Sequence, residues 1–179
     1  MTQQMHRKNK GGNKMAIVFN ADEVFEMAIR IENNGAAFYR KAAGFQSDTK
    51  HRKFLEGLAN MEDQHQKIFT EMRTTLTEKD KDPKVFDPYG ELAQYLAAMA
   101  DTMGGEGSPS VAGSLTGDET LEDILRTAVG LEKDAILFYL GIKDLIPSQS
   151  GKDRIDEIIR EERRHVIQLT NVLKKLQAK

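Results

Sequence analysis

Glu62 and His65, in "MEDQH", are matched 100 positions later by Glu162 and His165, in "EERRH". Both pairs interrupt otherwise apolar helical seams. In steps of three and four, one seam reads Leu55, Leu58, Glu62, His65, Phe69, Met72, Leu76. The other reads Ile155, Ile158, Glu162, His165, Leu169, Val172, Leu176. This spacing marks the face a helix turns to a bundle core. Two further seams carry one central Glu each, with a Tyr two turns on. They are Phe25, Ala28, Glu32, Gly35, Tyr39, Ala42 and Leu125, Ala128, Glu132, Ala135, Tyr139, Ile142. "AIRIENNGAAFY" (28–39) aligns with "AVGLEKDAILFY" (128–139) at the same offset. The chain therefore reads as two related helix hairpins packed about a pseudo-two-fold axis.

The pattern predicts four long helices. The first starts at Asn20, where "NADE" offers a capping box with Glu23, and ends near Gly44. The second runs from about Asp48 to Glu78, the third from about Asp118 to Pro147, and the fourth from about Ser150 almost to the C-terminus. Short connections make each pair an antiparallel hairpin. The crossover, 80–117, is long enough to run back along the bundle. Within it, 88–103 reads as a short amphipathic helix and 104–117 as a flexible linker. Residues 1–19 are expected to form a disordered arm, and 20–179 a single all-α four-helix bundle domain.

Four glutamates and two histidines thus point into one core. A buried carboxylate costs several kcal/mol (about that order even after relaxation) unless compensated. Crowded carboxylates either take up protons, at raised pKa values, or need cations. No Lys or Arg occupies these seams. Two divalent ions would balance four carboxylates with both imidazoles neutral, and residues three apart share a helix face, so each Glu–x–x–His pair can grip one ion. Oxygen-rich ligation with one imidazole per ion suits iron or manganese better than copper, and zinc also fits. Tyr39 and Tyr139 read either as core packing or as hydrogen-bond partners of the carboxylates. Glu161, beside the site in sequence, is expected to face solvent.

One Glu from each of two helices, with a Glu–x–x–His from each of the other two, resembles the dimetal site of the ferritin-like superfamily. Over residues 20–177, apart from 80–117, the chain resembles a rubrerythrin-family protein lacking the rubredoxin domain. The resemblance implies metal ligands Glu32, Glu62, His65, Glu132, Glu162 and His165. Glu62 and Glu162 would bridge, and Glu32 and Glu132 would be terminal. Ala135 stands where rubrerythrins carry a further Glu, which makes the ligand set closer to the bacterioferritin type. Asp63 stands where bacterioferritin has its haem methionine, so no haem is expected. No short fifth helix follows the fourth, so a storage shell is not expected.

The implied activity is that of a non-haem di-iron oxidoreductase. Two Fe(II) ions would reduce hydrogen peroxide or dioxygen and become a bridged Fe(III) pair, with Tyr39 or Tyr139 bonding a ligand carboxylate or supplying an electron. The chain has no cysteine, which excludes thiolate sites and iron–sulfur clusters. Electrons would come from a separate donor. The alternatives are an iron-binding or storage protein with little turnover, and a structural bundle stapled by metal. Net charge of −2 gives no argument for nucleic acid. No apolar run reaches the roughly 18 residues that would span a bilayer. With no signal-peptide apolar region, a cytoplasmic location is the default expectation. A homodimer is also expected, with 88–103 as the candidate interface.

Overall fold

The computed structural model describes residues 20–79, 94, 95, 98, 111–146 and 148–178. The expected arm, most of the 88–103 helix and 104–110 lie outside these residues. The described chain is all-α: α1 (Ala21–Gly44), α2 (Thr49–Thr74), the short α3 (Val111–Ser114), α4 (Leu121–Ile142) and α5 (Gln149–Gln177). A 3-10 turn, Lys143–Leu145, leads out of α4.

Side chains define the starts of the long helices. Asn20 accepts the Glu23 N–H at 3.0 Å, while the Glu23 carboxylate accepts the Asn20 N–H at 3.0 Å. Such a capping box satisfies two otherwise orphaned donors. Thr120 and Asp123 repeat it at α4. The Asp48 carboxylate accepts from Lys50 and His51 N–H at 2.7 and 3.0 Å, and Ser148 Oγ accepts from Gly151 N–H at 3.1 Å.

Polar contacts between helix ends fix the packing sense. Arg73, late in α2, holds Asp22, early in α1, through two bonds of 2.8 and 2.9 Å. Lys143 reaches Asp156 at 2.7 Å, and Gln177 reaches Glu122 at 2.9 Å. Each hairpin is therefore antiparallel. Its seam buries against the other hairpin in two apolar clusters. One gathers Phe25, Phe69, Phe138, Ile142, Ile155 and Ile158. The other gathers Phe38, Leu55, Leu58, Leu125, Ala128 and Leu169. The six polar seam residues lie along the same helices between these two clusters.

The structure corrects three boundaries. α2 stops at Thr74, short of Glu78. The Thr74 and Thr75 hydroxyls donate to the Glu71 and Met72 carbonyls at 2.7 and 2.8 Å, and such local bonds compete with the helical ladder. α4 begins at Leu121 rather than Asp118. The Glu119 carboxylate instead accepts the Thr116 and Gly117 N–H groups at 2.8 and 2.9 Å. Those backbone bonds hold its pKa down at about 2. Gly117 has a φ of 99°, a conformation that favours glycine. The third correction concerns the linker. Its last part, 111–117, is a helical turn and a built corner, with Ala112 and Leu115 buried in the second cluster.

Candidate metal centre

Glu32 on α1, Glu62 and His65 on α2, Glu132 on α4, and Glu162 and His165 on α5 converge in the bundle. None is more than 4 % exposed. His65 Nδ1 lies 2.8 Å from Glu162 Oε1, 3.5 Å from Glu32 Oε2 and 3.9 Å from Glu62 Oε2. His165 Nδ1 lies 2.8 Å from Glu162 Oε2, 3.4 Å from Glu132 Oε1 and 3.6 Å from Glu62 Oε1. Two overlapping sets result: Glu32, Glu62, His65 and Glu162; and Glu62, Glu132, Glu162 and His165. Within each, one donor atom per residue lies within 4.8 Å of the others. Glu62 and Glu162 serve both sets, one oxygen to each side.

The tyrosines complete the pseudo-symmetry. Tyr39 donates its hydroxyl to Glu132, and Tyr139 donates to Glu32. Each hairpin thereby orients a seam carboxylate of the other, Glu132 or Glu32. Burial, followed by the nearby carboxylate charges, pushes both phenols well above their ordinary pKa. Both therefore remain donors. Tyr39→Phe should leave a buried Glu132 oxygen without this partner, which costs roughly 1–3 kcal/mol. Thermal denaturation should show the same direction of loss for Tyr139→Phe.

The protonation pattern follows from burial and crowding. Burial, then the charge of Glu162, raises Glu62 well above the carboxylate range. The same two causes raise Glu132 to about 8. Burial would raise Glu162 too, but the two imidazoles facing it hold it below its ordinary value. For the histidines, burial disfavours charge, but the carboxylates outweigh it. Glu162 and Glu32 bring His65 to about 11, and Glu132 and Glu162 bring His165 to about 9. Without a metal, the cluster compensates itself by retaining protons.

That compensation is geometrically incomplete. Glu62 Oε1, both oxygens of Glu162, and the Nδ1 atoms of His65 and His165 are buried without a well-directed hydrogen bond, the 2.8 Å approaches of Nδ1 to Glu162 being ion-pair contacts off the hydrogen-bond direction. Buried polar atoms in native proteins are normally satisfied. Here the orphans are concentrated in one place and face one another. Oxygen donors plus one imidazole nitrogen per set fit a pair of divalent ions. A small cavity of about 30 Å³ adjoins the cluster, lined by Gly35 and Ala135 together with Glu62, Glu132, Tyr39 and Val111.

Glu161 departs from expectation. Its Oε2 lies 2.8 Å from His65 Nε2, on the ring edge opposite the cluster. Its side chain is only partly exposed. Behind His165 the corresponding place is taken by Met61, whose Sδ lies 3.3 Å from Nε2. From the sequence Glu161 reads as solvent-facing because it lies one residue off the seam. The available signal was its position four residues before His165, matching Met61 before His65, at the edge where α2 and α5 meet.

A ferritin-like all-α bundle with a buried carboxylate–histidine cluster, suited to two metal ions, is the class that fold and site define. A solved structure from Thermotoga maritima, provisionally described as a ferritin-like diiron-carboxylate protein, is similar to this chain. The TM-score is 0.65 at 22 % identity, covering 88 % of this chain and 96 % of that one. No protein-family model matches the sequence, and no curated protein matches it. No helix among the described residues is long and apolar enough to cross a membrane.

Proposed function

We propose that the chain is a non-haem di-iron oxidoreductase that reduces hydrogen peroxide or dioxygen. The observation that carries this reading is the convergence of five orphaned buried donor atoms into two sets sharing Glu62 and Glu162. In this reading Glu32 and His65 would hold one ion and Glu132 and His165 the other, with Glu62 and Glu162 offering donor atoms to both. Bound there, an Fe(II) pair would supply two electrons, which with two protons would convert peroxide to two waters or dioxygen to hydrogen peroxide.

The chain's own residues set the conditions. Tyr39 and Tyr139 fix the terminal carboxylates, so neither swings freely. The two apolar clusters exclude bulk water, which strengthens every charge interaction inside. The cavity of about 30 Å³ beside Gly35 and Ala135 has room for a water-sized oxidant next to the cluster. With no cysteine in the chain, repeated turnover draws electrons from a separate reductant.

The test begins with anaerobic Fe(II) reconstitution and elemental analysis, followed by rapid mixing with peroxide or dioxygen. About two irons per chain, and an oxidant-dependent change in the iron spectrum, are expected. Loading far above two would indicate storage. A spectrum indifferent to oxidant, with zinc stabilising the fold as well as iron, would indicate a metal staple and overturn the oxidoreductase.

A further inference from the structure

We propose that the two metal positions are unequal, the one served by His65 binding its ion more tightly because Glu161 backs that imidazole. The inference rests on the dimetal reading above. The two coordination sets are otherwise closely matched. Each has one terminal Glu anchored by a Tyr of the other hairpin, one imidazole presenting Nδ1, and the same two shared carboxylates.

The match ends behind the rings. His65 Nε2 faces the Glu161 carboxylate at 2.8 Å, and His165 Nε2 faces the Met61 thioether at 3.3 Å. Positions 61 and 161 correspond under the 100-residue repeat, so the asymmetry is built into the sequence. The physical consequence has a definite sign. When Nδ1 ligates a cation, the ring proton sits on Nε2. A carboxylate accepting that proton's hydrogen bond fixes the tautomer and increases the electron density the ring can donate. A thioether is neutral and a weak acceptor, so it orients the ring without this enhancement. Glu161 is therefore a positioning residue for His65. Its other oxygen, Oε1, lies 3.5 Å from the Arg164 guanidinium.

Outer partners of this kind typically change metal affinity about 10–100-fold. The two binding steps should differ by about that factor, with the first ion on the His65 side. A zinc titration of the metal-free protein, followed by nitrogen NMR of labelled histidine, reads both affinity and location. At one equivalent of zinc, the His65 Nδ1 resonance should shift while that of His165 stays near its starting value. Glu161→Gln keeps the shape and an acceptor but removes the charge. It should weaken the first step by about 10-fold or more and bring the two steps together. The exchange variant Met61→Glu with Glu161→Met should reverse the order, so that His165 shifts first. Reversal is an outcome that general destabilisation would not produce.

Equal, simultaneous shifts of both histidines in the native chain, with two zinc ions bound, would overturn this inference and leave the dimetal reading standing. Unchanged steps in Glu161→Gln would do the same. Failure to bind two ions would overturn both.

Discussion

Replacing Glu62 and Glu162 together by alanine should reduce bound metal from about two ions per chain to none, read by elemental analysis after anaerobic Fe(II) addition. The expectation follows from how the carboxylates are shared. Each presents one oxygen to each imidazole's side of the cluster. Their removal leaves each position with one carboxylate and one imidazole, too few protein donors for a retained divalent ion. Single variants at Glu32 or Glu132 touch one set each and should weaken one position more than the other. A Glu62→Gln, Glu162→Gln variant separates ligand loss from damage to the fold, because volume is retained while the anionic donors are removed. It should also lose both ions, while its helical circular dichroism matches that of the native chain. The native chain should gain thermal stability on metal addition. An excess of 1,000 times Kd corresponds to about 4 kcal/mol, and neither variant should show the gain. Full metal retention in the glutamine variant would place the ions elsewhere and remove the basis of the proposed function.

Much of this architecture is legible because two periodicities coincide. The seam pattern repeats at helical spacing within each segment, and the hairpins repeat at 100 residues between segments. Polar residues that recur in both registers have to meet in three dimensions. Glu32, Glu62, His65, Glu132, Glu162 and His165 all lie on these seams, and the structure brings them together. Caps were readable for the same local reason, since Asn20 with Glu23 is a self-contained device. The harder features depend on contacts between distant residues. Glu161 sits at a helix edge, and only the approach of α2 to α5 shows that it meets His65 rather than water. The 111–117 corner is rich in glycine and polar residues and reads as a linker. Its order comes from Ala112 and Leu115 reaching the second cluster and from Glu119 folding back on Thr116 and Gly117. The Tyr–Glu pairing runs across hairpins, so sequence spacing shows that the tyrosines share the seams but not which carboxylates they bond.

The metal-free protein should lose stability as pH rises from 6 to 9, and bound metal should cancel that fall. Glu132 is raised to about 8, His165 to about 9 and His65 to about 11. In an unfolded chain these groups titrate near about 4.3 for Glu and 6.5 for His. Across pH 6.5–8 the folded state therefore holds protons that the unfolded state has released. Stability must then fall with pH, by about 1.4 kcal/mol per pH unit for each such proton. The Glu132 contribution is complete by about pH 8 and that of His165 by about pH 9, while that of His65 continues toward 11. Glu162 acts oppositely, because its pKa is lowered. Its contribution is present above the ordinary carboxylate range and is lost only as pH falls below it. The metal-free optimum should accordingly lie in mildly acid solution. A divalent ion must displace the same protons, since ligation needs free imidazole Nδ1 atoms and ionised carboxylates. Its apparent affinity should rise up to about 10-fold per pH unit for each proton displaced. Thermal denaturation at pH 6 and 8.5, with and without anaerobic manganese, reads both trends. The metal-free curve should shift down on going to pH 8.5, and the metal-induced gain should be larger there. A metal-free protein whose stability is flat or rising over this interval would mean that the cluster does not store protons. The charge balance derived from its burial would then be wrong.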